Sequence, residues 1–237
     1  MGGLKEGRRT RRIRSYPGGL RSKLRSAGDI VRFLGAWKFA IRVLPWSFGR
    51  EYSIFTQDLD RIVLFPPPSI LFRVRPAETE DIPALMDLRK GYYSRALLEK
   101  RLKEGHLAFL GWSGEKLVYC YWALVGSIEV PYLHGRLVLS PGEVYTDELF
   151  VHPGSRRSGV YAYAGSLIRT ALRAKGFRTM SCAVASWNEV PRRHMISAGM
   201  TEIARLRCRN VPGFVKARWP GRVDVHDDGS FAFHGSP

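Results

Sequence analysis

Hydrophobic and polar residues alternate with two different periods along the chain from residue 71 onward. The two-residue period predicts strands over residues 71–75, 106–112, 116–126, 143–151, 178–185 and 200–210. The longer period predicts a helix beginning near residue 80 and further helices over residues 94–104, 159–175 and 188–197. Both kinds of element in mixed order predict one α/β (α+β) domain, a mixed sheet with helices on its faces.

The segment before residue 71 has a different pattern. Residues 61–65 predict a short strand, and the three prolines at 66–68 predict a stiff connector. We therefore expect the main domain at residues 71–211, preceded by a separate unit at residues 26–70. Residues 127–142 are predicted as a loop. Residues 212–237 are polar and rich in glycine, which predicts a C-terminal tail or a short hairpin.

Apolar residues recur at helical spacing near the N-terminus, which predicts an amphipathic helix from residue 26 to the proline at 45. Its stripe consists of Ile30, Phe33, Leu34, Trp37, Ile41 and Leu44. Two interpretations remain open: a helix lying on an anionic membrane surface, or a helix packed against the protein itself. Residues 1–25 bury too little apolar surface to order themselves, so we expect a basic mobile tail.

Charge is concentrated at the same end of the chain. Residues 1–50 hold thirteen Lys or Arg against two acidic residues, which gives +11 of the net +17. Such a segment favours an anionic partner. A membrane surface is preferred to nucleic acid, because no nucleic-acid motif accompanies the charge. An Arg-rich opening is also compatible with an organelle transit peptide.

Several classes of protein are disfavoured by the sequence. No apolar run reaches the eighteen residues or so of a membrane span, and no signal-peptide pattern follows the basic start. The cysteines Cys120, Cys182 and Cys208 are too widely spaced to predict a zinc site or a disulfide framework. We expect a cytoplasmic protein without a metal, peripheral at the membrane if the N-terminal helix is interfacial.

The most informative stretch lies where the strand at 143–151 meets the helix at 159–175. The strand breaks at Pro153, and a polar loop with Arg156, Arg157 and Gly159 leads into the helix. Such a junction presents unpaired backbone N–H groups and the positive end of a helix dipole. The sequence therefore predicts an anion site, and a diphosphate suits it.

This stretch resembles the coenzyme-binding motif of the GNAT N-acetyltransferases, V-x-P-x-x-R-x-x-G-x-G or A. Val151, Pro153, Arg156 and Gly159 stand at its fixed positions, and Tyr161 stands where the family has Gly or Ala. Three further elements support the resemblance, which covers about 140 residues in the right order. They are the strand that ends at Val151, Asn188 followed by Gly199-Met200 in place of the family's N-x(10)-G-F, and the opening Arg73, Pro76 and Asp81.

The resemblance implies a GNAT-type, mostly antiparallel sheet with helices on both faces and acetyl-CoA as cosubstrate. It places the pantetheine arm along Leu149, Phe150 and Val151, where two strands splay apart. It places the diphosphate at Arg156, Arg157, Ser158, Gly159, Val160 and Tyr161, and Asn188 near the thiol end. An amine acceptor would attack the thioester directly, with Asp147 or Glu148 as the base.

Strand alternation predicts that Asp147 and Glu148 point to opposite faces, so that only one reaches the cleft. Asp147 is favoured because it occupies the position of the base in spermidine/spermine-type members. The tyrosine that many members use as a general acid is Met195 here, and His194 and Tyr163 are the nearby candidates to replace it.

Three functional hypotheses follow from these residues. The first is an acetyl-CoA-dependent N-acetyltransferase acting on a small amine, an amino sugar or a protein amine. The second is a degenerate acyl-CoA-binding module, recruited to an anionic membrane or nucleic acid by its basic N-terminus. In the third the domain transfers a long acyl chain, with aromatic residues lining its pocket: Tyr119, Tyr121, Trp122 and Tyr132.

Overall fold

The computed structural model of the protein describes residues 50–133, 135–208, 215–217, 223–225 and 230–233. The tail expected over residues 1–25 and the amphipathic helix that follows it lie outside these residues. No helix in the described ranges is long and apolar enough to cross a membrane.

The described ranges contain twelve strands and four α-helices. The strands are β1 (Arg50–Asp58), β2 (Arg73–Pro76), β3 (Leu107–Ser113), β4 (Lys116–Leu124), β5 (Ser127–Val130), β6 (Gly135–Val138), β7 (Glu143–Val151), β8 (Thr179–Ala185), β9 (Thr201–Cys208), β10 (Val215–Ala217), β11 (Val223–Val225) and β12 (Ser230–Phe233). The helices are α1 (Ile82–Leu88), α2 (Arg95–Lys103), α3 (Val160–Ala174) and α4 (Glu189–Ser197).

Eight strands form one sheet in the order β10-β9-β1-β8-β7-β4-β3-β2. Each neighbouring pair is antiparallel except β7 and β8, which are parallel. Helices pack on both faces of this sheet. The predicted fold class, a mixed and mostly antiparallel sheet with helices on both faces, is confirmed.

The two faces of the sheet bury two separate cores, and β4 shows how the strands divide between them. Cys120 and Trp122 point to the core under α1 and α2, which we call the α1/α2 face. Tyr119 and Tyr121 point to the core under α3 and α4, the α3/α4 face. This alternation is the two-residue period of a strand buried on both sides.

The strand predicted at residues 61–65 is not observed; the strand of this region is β1, which begins eleven residues earlier. β1 lies inside the large sheet, between β8 and β9. Its apolar pattern is weak because it also buries Ser53, Thr56 and Gln57. Residues 61–65 are apolar for another reason, since Val63 lies against Gly199 and Phe65 stacks on His194 at 5.6 Å between ring centroids.

The loop predicted at residues 127–142 contains the hairpin of β5 and β6. With β11 and β12 it forms a second sheet in the order β11-β12-β6-β5. Phe231 and Phe233 of β12 are buried, so part of the expected C-terminal tail belongs to the core of the α1/α2 face. These strands escaped the pattern because each spans only three or four residues, too few to establish a period.

Candidate coenzyme-binding cleft

The central feature of the site is a gap between the two parallel strands. β7 and β8 pair only from Glu143 to Tyr145, opposite Thr179 to Ser181. The hydroxyl of Thr146 donates to the carbonyl of Ser181 at 3.1 Å and marks the vertex. Both strands continue beyond that point without pairing to each other, because they diverge. A cleft of about 930 Å³ opens between them.

The cleft gathers nearly all of the predicted site residues. Its lining includes Asp147, Glu148, Leu149, Phe150, Val151, Arg156, Arg157, Gly159, Val160, Tyr161 and Asn188. Ser158 does not line it. The hydroxyl of Ser158 donates to the carbonyl of Ser155 at 2.7 Å, and its own carbonyl accepts from the amide of Ser69 at 3.0 Å. Ser158 therefore stabilises the loop through these hydrogen bonds and does not line the cleft.

At one end of the cleft lies the loop from β7 to α3, where the sequence predicts an anion site. Arg157 and Gly159 have φ angles of 66° and 89°, which turn the chain sharply into α3 at Val160. The amide of Tyr163 donates to the carbonyl of Gly159 at 3.2 Å and begins the helical ladder. The amides of the preceding turn have no carbonyl within the helix to accept them. The residues of this turn, from Gly159 to Ala162, line the cleft, so the positive end of the helix dipole lies beside it.

The two arginines of this loop are exposed. Arg156 Nε donates to the carbonyl of Val151 at 3.3 Å, which holds the side chain at the rim. Arg157 is also exposed and lines the cleft. Asn188 precedes α4 on the opposite wall of the cleft. Its backbone N–H donates to the carbonyl of Ala185 at 2.8 Å.

The proline connector packs directly behind this loop, a contact that the sequence did not reveal. A Cβ added to Gly159 would lie 3.3 Å from the Cα of Pro68. The amide of Ser69 fixes the connector to Ser158, as described above. Gly159 is therefore required both by its left-handed φ and by a close neighbour.

At the other end of the cleft, β7 has a bulge in which Glu148 and Leu149 stand opposite the single residue Tyr121 of β4. Glu148 has a φ of 54°, and the pairing with β4 shifts between Cys120 and Trp122. The bulge places Asp147 and Glu148 on the same face, the α1/α2 face. The expectation that they point to opposite faces was wrong, because a bulge adds a residue and interrupts the alternation.

Glu148 is held by an ion pair. Its two carboxylate oxygens accept from Arg101 of α2 at 2.8 and 2.9 Å, and both side chains are less than 10% exposed. The guanidinium of Arg101 also lies 5.0 Å from the centre of the Trp122 ring. A bidentate pair of this kind fixes the carboxylate in one position, which suits a structural role.

Asp147 forms no ion pair with another described residue and is half-buried at the cleft. Burial, followed by the charge of Glu148, raises the pKa of Asp147 to about 7. The Arg101 charge and a hydrogen bond from Tyr132 act in the opposite direction. A carboxylate with this pKa can accept a proton near neutral pH and release it again.

Tyr161 lines the cleft, and its ring centroid lies 4.1 Å from that of His194. Burial and, less strongly, the charge of Arg169 lower the pKa of His194 to about 4, so this imidazole is neutral at pH 7. His194 and Tyr163 do not line the cleft. Tyr121 of β4, which the sequence suggested only as a pocket-lining aromatic residue, lines the cleft and carries a hydroxyl group. Its place on β4, the neighbour of β7 in the sheet, is the signal that could have found it.

Cysteine and metal chemistry receive no support from the described residues. Cys120, Cys182 and Cys208 are buried and unpaired. Cys182 lines the cleft, but burial raises the pKa of its thiol to about 12. The described ranges contain no cluster of three or more His, Cys, Asp or Glu side chains arranged to hold a metal ion.

No family model matches the chain, and no curated protein sequence matches it. Solved structures of similar fold include a GCN5-related N-acetyltransferase from Sphaerobacter thermophilus, with 17% identity and a TM-score of 0.48 over 78% of this chain and 57% of that one. A GCN5-related N-acetyltransferase from Kribbella flavida has 12% identity and a TM-score of 0.45 over 71% of this chain and 60% of that one.

The aminoglycoside acetyltransferase AAC(6')-Iy, in complex with the bisubstrate analogue CoA-S-monomethyl-acetylneamine, has 19% identity and a TM-score of 0.45. The match covers 55% of this chain and 91% of that one. The chain thus spans less than two thirds of the two GCN5-related proteins. Similarity at this level concerns the fold alone.

Proposed function

We propose that the protein is an N-acetyltransferase that transfers an acetyl group from acetyl-CoA to an amine acceptor. The observation that carries the proposal is the pairing, across one cleft, of an anion-binding helix start with a carboxylate of raised pKa. The α3 loop lies at one end and Asp147 at the other. The splayed strands between them offer unpaired backbone along the route.

The groups that line the cleft suit the chemistry of the coenzyme. The turn before Tyr163 offers amides to the diphosphate, and the exposed Arg156 and Arg157 supply charge for its oxygens. The strand residues Leu149 and Val151 would pair through their backbone with the amide groups of the pantetheine arm. Asn188 would contact the arm near the thiol end.

In the proposed reaction the amine nitrogen forms a bond to the thioester carbonyl carbon, and the carbon–sulfur bond breaks. Asp147 removes a proton from the amine, which must be neutral to attack. The departing thiolate takes up a proton from water or a hydroxyl group. Glu148 positions the bulged strand through Arg101 and does not take part in proton transfer.

The acceptor enters from the α1/α2 face, because Asp147 points there. A small amine, an amino sugar and a protein amine are all compatible with that direction. We further propose a cytoplasmic location, peripheral at a membrane if the N-terminal segment binds anionic lipid. The raised pKa of Asp147 at the cleft favours an enzyme over a degenerate binding module, whose support is limited to the departures from the family motif at Tyr161 and Met195.

The proposal is tested by binding and turnover together. Purified full-length protein is titrated with acetyl-CoA by calorimetry and then assayed for free thiol with panels of amines, amino sugars and peptides. We expect binding of acetyl-CoA and thiol release with at least one acceptor class. Absence of coenzyme binding would refute the function outright, whereas binding without turnover on any panel would refute catalysis.

A further inference from the structure

Arg169 is a buried cation that the proposed reaction leaves unexplained. Its side chain lies in the middle of α3 on the face that packs against the sheet and is 3% exposed. Two of its nitrogens, Nε and Nη1, are buried and make no hydrogen bond within the described part of the chain. A buried charge without a partner is destabilising, so its presence calls for a compensating function.

The guanidinium extends toward the start of α3. Residues 161, 165 and 169 share one face of the helix, and helical side chains incline toward the N-terminus. A Cβ on Gly165 would lie only 3.2 Å from Arg169 Nη1, so the side chain runs along the helix past Gly165. A methyl group at 165 would require the guanidinium to shift by a few tenths of an ångström. The charge therefore lies about one turn, roughly 5 Å, nearer the helix start than its own Cα.

The cleft lies at that helix start, and Tyr161 separates it from Arg169. Tyr161 lines the cleft on one side and occupies the helix face above Gly165 on the other. Burial raises the pKa of Tyr161, Cys182 and Tyr121, and the charge of Arg169 opposes that rise, so its field reaches groups that line the cleft. No acidic side chain forms an ion pair with Arg169 among the described residues, so its field is not cancelled locally.

We propose that Arg169 is an electrostatic positioning residue for the coenzyme: a buried positive charge behind Tyr161 that strengthens the hold of the α3 N-terminus on the diphosphate. This inference rests on the proposed function, since it assumes that CoA occupies the cleft. Its charge adds to the partial positive charge of the helix start. The interaction passes through protein rather than water, and the lower effective dielectric constant of protein screens it less.

The arrangement predicts opposite effects on binding and on stability. Replacing Arg169 by Met removes the attraction, and a single charge at roughly 10 Å and an effective dielectric near 20 corresponds to about tenfold in affinity. The same substitution removes a buried unpaired charge and fills the space with an apolar chain. The urea midpoint of the ligand-free protein is therefore expected to stay the same or rise.

The experiment compares full-length wild type with Arg169→Met, Arg169→Gln and the control Arg173→Met. Arg173 lies on the same helix, is 56% exposed and pairs with Asp60 at 2.9 Å. Calorimetry measures the affinity for CoA and for pantetheine, which lacks the diphosphate, and urea unfolding is followed without ligand. We expect weaker CoA binding in both Arg169 variants, unchanged pantetheine binding, and wild-type CoA affinity in the control.

The other outcomes contradict the inference. CoA affinity within twofold of wild type in Arg169→Gln would exclude an electrostatic role. Equal weakening of CoA and pantetheine binding, or a clear fall in the urea midpoint, would show that Arg169 supports the fold of the cleft instead. Wild-type protein that binds no CoA would refute the proposed function, which is a separate result.

Discussion

The two ends of the cleft are built in different ways. At the α3 end the site consists of backbone amides, shaped by Gly159 and braced by Pro68 and Ser69. At the β7 end it consists of side chains, Asp147 and Glu148, whose direction depends on a bulge. At the backbone end, any added side-chain volume should therefore weaken coenzyme binding. The side-chain end should respond to single changes of charge or protonation.

The largest effect is expected at the β7 end. Asp147→Asn should lower turnover by about 10² to 10⁴, the usual contribution of a general base, while acetyl-CoA affinity stays unchanged. Glu143→Gln, a change on the same strand outside the cleft, is the control and should keep full turnover. Steady-state kinetics and calorimetry measure both. Equal losses in the two variants would show that Asp147 is not the base.

The pH profile should reveal the same group. A carboxylate whose pKa is about 7 must lose its proton to act as a base, so kcat/KM should fall about tenfold per pH unit below 7. Between about pH 4 and pH 7, the folded protein keeps a proton on Asp147 that the unfolded chain has already lost. This group therefore makes the free energy of unfolding decrease as the pH rises through that range. A profile that stays flat down to pH 5 would argue against Asp147.

Glu148 should behave differently from its neighbour. Glu148→Gln leaves the buried Arg101 without its carboxylate, and breaking a buried pair from one side typically costs about 3 kcal/mol or more of unfolding free energy. The double variant Glu148→Gln/Arg101→Met should recover part of that loss, because no lone charge remains. Urea unfolding tests this. A single variant as stable as wild type would mean that the pair contributes little.

The smallest effect is expected at the α3 end. Gly159→Ala strains a backbone at φ 89° and brings a methyl group 3.3 Å from Pro68 Cα, so the loop must shift. We expect about tenfold weaker CoA binding, similar to the loss of one or two good hydrogen bonds. Gly114→Ala, at a positive φ with open space in a distant hairpin, controls for backbone strain alone. Similar CoA affinity in both variants would remove Gly159 from the site.

The same contrast explains what the sequence could predict. The α3 loop was located because Pro153 and Gly159 restrict the backbone itself, and those restrictions are visible residue by residue. The directions of Asp147 and Glu148 were not predictable, since nothing in the local sequence signals a bulge. Tyr161 departs from the family motif, and only the structure shows that it stands beside His194 and lines the cleft.

The fold shows a similar division. Long, strongly patterned strands such as β4 and β7 were predicted within a few residues of their observed bounds. β1 was missed because it lies in the middle of the sheet and buries polar side chains there. Hydrogen bonds satisfy these side chains, so the strand lacks the apolar pattern by which strands are recognised. Gln57 is one example, donating to the carbonyls of Arg61 and Ala198. Tertiary contacts of this kind are not encoded locally.

The position of β1 has a consequence for how the chain folds. Tyr52 pairs with Leu206 on one side and Ala185 on the other, so both partners lie more than 130 residues away along the chain. During synthesis on the ribosome, β1 emerges first and waits with both edges unpaired until β8 and β9 have been made. High contact order of this kind slows folding and lengthens the exposure of a strand to other chains.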